Sequence, residues 1–553
     1  MHRHALNVPF HHRDIASLAG ARWSPEHRLW IYHGEKLPEE LISYAPRPFS
    51  WADRINRELN GLGCPIIPGK HTLTPRPHQK EGIQTIKDAF KAGSPGFLLA
   101  DEVGLGKTLT AWDAIKDMAP TGASVAIVSP LSVIGNWADT LMDRGTRGQD
   151  IVLMNYEKLR LFFDVDNASK NKDGSTRKVF KGRTLKGVAK YGEMEGVDFL
   201  ILDESHRIKN NTSARAKFAM RLYEKAKFII WMSGTPGQTP LELAYLLPIL
   251  QFRTEGRWNG KCTGEDLEQW AAKNKLRITR GEYGKWEWVA DEDENKRLSR
   301  VLLDGGKIKV ALRRVPNAIA GWPELQRILQ PIELDDDDMT KYKQSWQELR
   351  AAILGTPIEK RKLANSQALV AMIRFRQKAS LLKVPYTADA AEDIISNGHQ
   401  VAISCEFLDT VRALEEEFAK RHIKTVKVTG EILDPAARQA AMVKFNQCEA
   451  QVILFTVTEG INLQEGAILQ KDKPRTQIDH DIRWSGIAMH QVDGRCHRNG
   501  KFARVIWSYI KDTVEEGVVQ RVLVRLKGIE TLTGDDRQLA KELEDQLLAQ
   551  ATK

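Results

Sequence analysis

Cysteine is scarce in this chain and poorly arranged for cross-linking. Cys64, Cys262, Cys405, Cys448 and Cys496 are scattered, odd in number and form no C-x-x-C pair. That argues against a disulfide framework or a structural zinc site and fits reduced thiols. No apolar run reaches the roughly 18 residues needed to cross a bilayer, so no membrane role is expected. Met1-His2-Arg3-His4-Ala5 carries no apolar signal stretch, and an intracellular protein is expected: cytoplasmic in a bacterial or phage-infected cell, nuclear in a eukaryote. Internal repeats are missing, as are nuclease, methylase and metal-cluster motifs, so any cutting would fall to a partner.

What is present is a globular composition: 553 residues, 42% hydrophobic and 28% charged. That length leads us to expect three or four domains with sizeable cores. The 82 basic residues against 72 acidic leave a net charge of +10, a balance that suits a polyanionic partner. Lys-rich stretches such as Lys170 to Arg183 read equally as a solvated loop.

Patterning divides the chain. Residues 1–45 read as a small α+β module: a strand at Ala5–Phe10, a short helix from Asp14 to Ala19, then strands at Arg22-Trp23 and Leu29–Tyr32. Residues 46–72 carry Pro46, Pro48, Pro65 and Pro68 and read as linker. Over 73–250, short apolar runs (Gly96–Ala100, Ser124–Ser129, Ile151–Met154, Phe199–Asp203, Phe228–Ser233) alternate with helical patterns, the rhythm of a parallel α/β lobe. Residues 251–380 break the rhythm and read as an insertion and bridge. It returns over 381–515, at Gln400–Ser404, Thr425–Val428, Val452–Phe455 and Val505–Tyr509. A charged helical tail follows at 516–553.

The chemistry sits in two stretches, each fed by an apolar strand. Leu98-Leu99-Ala100 leads into Asp101-Glu102-Val103-Gly104-Leu105-Gly106-Lys107-Thr108, and Leu200-Ile201-Leu202 into Asp203-Glu204-Ser205-His206. Hydrolysis of a nucleoside triphosphate needs a phosphate cradle, a magnesium ion and an oriented water. Gly104 and Gly106 allow a tight turn and a close approach to phosphate. The helix predicted from Thr108 to about Met118 aims its first N–H groups at the anion. Lys107 is placed to reach the β- and γ-phosphates and the Thr108 hydroxyl to ligate Mg²⁺. Asp203 would hold Mg²⁺ through water, and Glu204 would polarise the attacking water. A strict phosphate loop carries Gly where this chain has Asp101; the acidic pair downstream carries the reading past that mismatch.

Further signals follow in order. Arg76-Pro77-His78-Gln79 lies upstream, with Gln79 able to read an adenine edge. Then come Ser129-Pro130-Leu131 with Asn136-Trp137, Ser233-Gly234-Thr235-Pro236, Glu459-Gly460-Ile461-Asn462-Leu463 and Gln491-Val492-Asp493-Gly494-Arg495-Cys496-His497-Arg498-Asn499-Gly500. As an ordered set over roughly residues 70–520, these resemble the Swi/Snf family of superfamily-two DNA-dependent ATPases. That family's loop reads D-E-x-G-L-G-K-T, its acidic box D-E-A-H-R-x-K-N and its last motif Q-x-x-x-R-x-H-R-x-G-Q. Ser205 departs from the box, Lys501 from the last motif, and Thr458-Glu459 from a Gly-rich second-lobe motif; the last bears on the geometry of DNA contact rather than on ATP hydrolysis.

The resemblance implies two tandem RecA-like lobes with ATP and Mg²⁺ in the cleft between them. Lys107, Thr108, Asp203 and Glu204 would carry the ATP chemistry, and Arg495 and Arg498 would be arginine fingers from lobe two. Gly104, Gly106, Gln79 and Gly460 would contact nucleotide. Ser129, Pro130, Trp137, Thr235 and Asn462 would lie on the DNA side, although Trp137 suits core packing equally well. Lys309–Val315 resembles the family's L-R-R-x-K segment closing the insertion, Arg374–Lys378 and Leu382–Val384 resemble the entry to lobe two in the compact annealing-helicase branch, and the short build resembles phage and bacterial versions. The N-terminal module resembles G-A-R-W-D modules of DNA-processing enzymes through Gly20-Ala21-Arg22-Trp23. Arg22 and Arg28 would meet phosphate, while Trp23 and Trp30 read first as core and second as base-stacking platforms.

The activity this implies is ATP-driven translocation on double-stranded or branched DNA, with fork remodelling, strand annealing or protein displacement as outputs. A strand-separating DNA or RNA helicase is the near alternative. A nucleotide-dependent clamp or scaffold in a repair or defence assembly is the distant one. A protein partner would dock on the N-terminal module or the C-terminal tail.

Overall fold

In the computed structural model, residues 2–6, 8, 12–25, 29–42, 44, 69, 74–162, 197–211, 213–280, 286–288, 292–304, 306–315, 319, 325–354, 361–432, 434–457, 461–463, 473–497, 502–533 and 543–547 are described. Strands are numbered β1 to β17 in chain order. The N-terminal module holds β1 (His2–Leu6), β2 (Arg22–Ser24) and β3 (Leu29–Gly34) in an antiparallel sheet of order β1-β3-β2. Its core is Leu6, Ala16, Ala21, Leu41 and Tyr44. Trp30 only packs against that core, and Trp23 is 49% exposed. The reading of Trp23 as core is therefore corrected, while Trp30 does pack against the core.

The first large sheet contains β4 (Gly96–Leu99), β5 (Ser124–Ser129), β6 (Asp150–Asn155), β7 (Phe199–Asp203), β8 (Phe228–Met232) and β11 (Ala311–Leu312), ordered β11-β4-β8-β7-β5-β6 and parallel throughout. Successive side chains of a strand point to opposite faces, and the two cores follow from that. Leu98, Leu200, Leu202, Ile229 and Trp231 fill one face. Phe97, Leu99, Phe199, Ile201, Phe228 and Ile230 fill the other. Strands buried on both faces need continuous apolar runs, which is why these were readable.

The second large sheet contains β12 (Gln326–Ile332), β13 (Gln400–Ser404), β14 (Thr425–Val428), β15 (Val452–Phe455), β16 (Arg475–Asp479) and β17 (Ala503–Ile510), ordered β12-β17-β16-β13-β15-β14 and again parallel. Two tandem parallel-sheet lobes are thus the architecture. Residues 251–380 do not stand apart from them. The helices Gly264–Lys273 and Glu292–Leu303 and strand β11 pack into the first lobe. A β-hairpin of β9 (Ile278–Arg280) and β10 (Trp286–Trp288) lies between those helices in sequence. Strand β12 pairs with β17, and the helices Asp336–Leu354 and Arg361–Leu382 pack together beside it. The outer edge of β12 is covered by a side chain: the Gln546 amide accepts from Leu329 N–H (3.0 Å) and donates to Arg327 C=O (3.2 Å), closing an edge that would otherwise invite strand pairing.

The tail is helical from Val514 to Thr533 but is not a free arm. Val518, Val519, Val522, Leu523, Leu526 and Ile529 bury into the second lobe, while Leu532 enters the core of the first. No helix among the described residues is long and apolar enough to cross a membrane.

Candidate ATP site

Residues 100–106 join β4 to the helix Lys107–Met118. The turn needs left-handed backbone at Gly104 (φ 89°) and Gly106 (φ 78°). Gly106 is required by its left-handed backbone, and a Cβ there would lie 2.2 Å from Gln79 Nε2 and displace that amide from the loop. Gln79 is buried; its amide donates to Leu105 C=O (3.2 Å) and accepts from Arg76 N–H (2.8 Å). Here it props the loop from beneath. Lys107 Nζ donates to the carbonyls of Asp101 (2.9 Å) and Glu102 (3.2 Å). Burial pushes its pKa down, against the pull of Glu204, Asp101 and Asp203.

Asp101, where a strict loop has Gly, is fully buried and accepts from Arg314 Nε (3.0 Å). Glu102 accepts from Arg313 Nη2 (2.9 Å), and Arg313 also donates to the carbonyls of Ala100 (2.7 Å) and Gly234 (2.8 Å). A carboxylate is tolerated in this loop because two arginines from beyond β11 are wired into it. Sequence reasoning quoted these arginines without giving them a role. Pairing with a site 200 residues upstream leaves no local signal.

Asp203 ends β7. Its Oδ1 accepts from Glu204 N–H (2.9 Å), its Oδ2 from Trp137 Nε1 (2.8 Å), and its carbonyl from Tyr156 O–H (2.7 Å). Burial and then the neighbouring Glu204 charge push the Asp203 pKa up. Glu204 holds a left-handed backbone (φ 49°) without being glycine, the kind of local cost that functional sites retain. Burial pushes the Glu204 pKa up, but the His206 hydrogen bond and charge, with Lys107 and Arg495, outweigh it and hold the carboxyl low.

The second lobe supplies the opposite wall. Gln491, on the helix Gly486–Asp493, donates to Glu204 Oε2 (3.3 Å) and lies 3.2 Å from His206 Nε2. His206 Nδ1 meets Ser233 Oγ (3.1 Å), which accepts from Thr235 N–H (3.2 Å). Beside Gln491, His490 Nε2 is 2.6 Å from Glu102 Oε1. Arg495 is buried, donates from Nε to Gln491 C=O (2.7 Å) and acts on Glu204 through its charge. Leu463 N–H donates to Arg495 C=O (3.2 Å), which joins the Asn462 segment to the arginine. Arg498, Gly460, Arg28 and the stretch Lys170–Arg183 lie outside the described residues.

A magnesium ion fits the donor set. Thr108 stands in the first turn of the loop helix, and Asp203 brings one carboxylate whose oxygens each hold a single protein donor. Mg²⁺ typically takes one or two carboxylates, phosphate oxygens and water rather than an all-protein cage. Among the described residues no cluster of three His, Cys, Asp or Glu side chains could hold another metal.

The expected DNA-side residues separate. Asn462 and Arg22 are exposed. Ser129, Pro130 and Thr235 are buried, and Trp137 is fully so. The side chains of these four are packed inside the first lobe, while Leu131 and Asn136 in the same stretch as Ser129 and Trp137 are exposed.

The chain is similar to several known proteins. Residues 78–382 match the family model of the SNF2-related domain. The chain is 30% identical over 181 residues to Protein CHROMATIN REMODELING 25 of Arabidopsis thaliana, covering 30% of this chain and 20% of that one. It is 23% identical over 554 residues to the uncharacterized ATP-dependent helicase YqhH of Bacillus subtilis, covering 91% and 90%. It is 29% identical over 232 residues to the DNA repair and recombination protein RAD54 of Oryza sativa subsp. japonica, covering 38% and 23%. The chain thus spans only about a fifth to a quarter of the two plant relatives. The Sulfolobus solfataricus SWI2/SNF2 ATPase core in complex with dsDNA aligns at 20% identity and a TM-score of 0.31, over 87% of this chain and 97% of that one.

Proposed function

This chain belongs to the SNF2-related domain family, and we propose that it is a DNA-dependent ATPase that converts hydrolysis into movement along double-stranded DNA. The observation that carries this is the contact of Gln491, from lobe two, with Glu204 and His206 of lobe one. A site completed by both lobes links hydrolysis to their relative position.

Lys107 would leave its loop carbonyls for the β- and γ-phosphates, where its cation is needed. Glu204, held ionised, orients the attacking water, with Gln491 fixing the carboxylate. Arg495, joined by Arg498, offsets charge growing on the γ-phosphate in the transition state. Asp203 and Thr108 would hold Mg²⁺, which when bound would supply positive charge to offset that of the phosphates. The chain from Glu204 through His206 and Ser233 to Thr235 offers a path from hydrolysis to the loop beyond β8.

The net charge of +10 suits a polyanionic track, and backbone contacts carry no sequence information. Binding should weaken steeply with salt. Fork remodelling, reannealing or displacement of bound proteins are the outputs, with Asn462 and Arg22 among the contacts. The test is steady-state ATPase with no nucleic acid, single strands, duplex, forks and RNA at fixed salt. Stimulation by duplex or fork supports the reading. Stimulation by single strands or RNA alone favours a strand-separating helicase, and no stimulation favours a scaffold.

A further inference from the structure

The helix Ile134–Arg144 has two faces with different neighbours. Ile134, Trp137, Leu141 and Arg144 point inward and are buried, the spacing of one helical stripe. Asn136 and Met142 point to solvent, and Leu131 just before the helix is 64% exposed. The inner face is bolted to the ATP site at two places. At its far end Arg144 Nε donates to Asp113 Oδ1 (3.0 Å) of the loop helix, and Trp112 Nε1 donates to Gly145 C=O (3.0 Å). At its near end Trp137 Nε1 donates to Asp203 Oδ2 at 2.8 Å.

We propose that Trp137 is a positioning residue: its indole N–H sets the orientation of the Asp203 carboxylate for Mg²⁺ and ties the solvent-facing helix Ile134–Arg144 to the metal side of the ATP site. The inference rests on the functional reading above and deepens it. Geometry favours it over simple core filling. The two Asp203 oxygens take one donor each, Glu204 N–H on one and Trp137 on the other, while Tyr156 fixes the backbone behind them. The carboxylate plane is therefore determined by protein groups, with lone pairs left over for a metal's water shell. An indole is a donor only, so it can orient the ligand and never compete with it for the cation. It is also rigid and fully buried, so a shift of the helix that carries it moves the donor with it. Pressure on the outer face at Asn136 and Met142 reaches Asp203 through one side chain.

The test uses the full chain with β-(3-benzothienyl)alanine incorporated at position 137, which keeps the bicyclic shape and replaces the N–H by sulfur. Trp137→Phe serves as a second variant, in which a cavity accompanies the lost donor. Mn²⁺ binding in the presence of a non-hydrolysable ATP analogue is read by electron paramagnetic resonance, and ATPase is read with and without duplex. The expected result for the isostere is Mn²⁺ half-saturation raised about tenfold, the usual scale for losing an outer-shell partner of a metal ligand, with a smaller duplex stimulation. Mn²⁺ binding equal to that of the unsubstituted chain, or undiminished duplex stimulation, would overturn the proposal. Failure of the unsubstituted chain to bind Mn²⁺ with the analogue would overturn both this proposal and the functional reading.

Discussion

Gln491 Nε2 stands 3.3 Å from Glu204 Oε2, across the cleft between the two lobes. The carboxylate proposed to orient water is therefore contacted by a side chain of the other lobe. Gln491→Ala should lower kcat for ATP about 10- to 100-fold, the worth of one hydrogen bond to a charged group, and leave the KM for ATP nearly unchanged. A rise in KM at constant kcat would instead assign Gln491 to ground-state nucleotide binding.

Lys107→Ala and Glu204→Gln should each cut turnover by about 100-fold or more, with duplex affinity kept in a filter-binding or anisotropy assay. Equal ATPase in either variant would remove the site assignment.

Gly528 brings the C-terminal helix against the loop beyond Thr235: a Cβ there would lie 2.9 Å from the Gln238 carbonyl oxygen. Gly528→Leu should cost about 1–3 kcal/mol through overpacking, visible as a lower Tm, and should reduce duplex-stimulated ATPase because this helix packs on both lobes. Unchanged melting and unchanged stimulation would show that the contact carries no load.

Much of this was readable from residue types. Strands β4, β5, β6, β7, β8, β13, β15 and β17 are legible because apolar runs mark strands covered on both faces, whereas the half-buried edge strand β14 shows itself by its β-branched residues, Thr-Val-Lys-Val. Strand β16 was missed because it reads Arg-Thr-Gln-Ile-Asp. Its polar side chains are satisfied by partners elsewhere: Arg475 Nη1 donates to Asn446 Oδ1 (2.7 Å), and Gln477 Nε2 to Val492 C=O (2.9 Å). Strand β12 carries Pro331, tolerated on an edge, and so hid inside an apparent bridge. At the candidate site, Lys107, Asp203 and Glu204 stand out in the sequence because each follows an apolar strand in a short local pattern, while Arg495 stands out only through the family resemblance. Trp137, Arg313, Arg314 and Gln491 act through contacts 66 to 287 residues away in sequence, and no local pattern encodes those.

Asp479 and Asp493 form a buried acidic pair behind the helix that carries Gln491. Asp493 accepts from Trp507 Nε1 (2.9 Å) and pairs with Arg327. Burial, then the Asp493 charge, holds the Asp479 pKa far above the carboxylate range. The folded chain therefore keeps a proton that the unfolded chain loses near pH 4, and stability falls as pH rises from there toward the folded pKa. Asp479→Asn removes that slope and should raise Tm at neutral and alkaline pH, by about 2–4 °C for each kcal/mol regained. An equal or lower Tm at pH 8 would contradict the assignment of a neutral Asp479.

Trp23 is exposed on β2 beside Arg22 and edge-on to Trp30, with ring centroids 6.1 Å apart. Because the module's core excludes it, Trp23→Ala should leave folding intact. Fork or junction affinity should fall by about 1–3 kcal/mol if bases stack there. Unchanged affinity across branched DNA would assign the module to a protein partner.

The central claim is movement along duplex DNA, and its most direct measurement is displacement of a third strand from a triplex on blunt duplex. A chain that moves along duplex DNA should give ATP-dependent release that Glu204→Gln abolishes, without separation of the underlying duplex. Robust ATPase with no triplex release, or unwinding of a tailed duplex in its place, would contradict it.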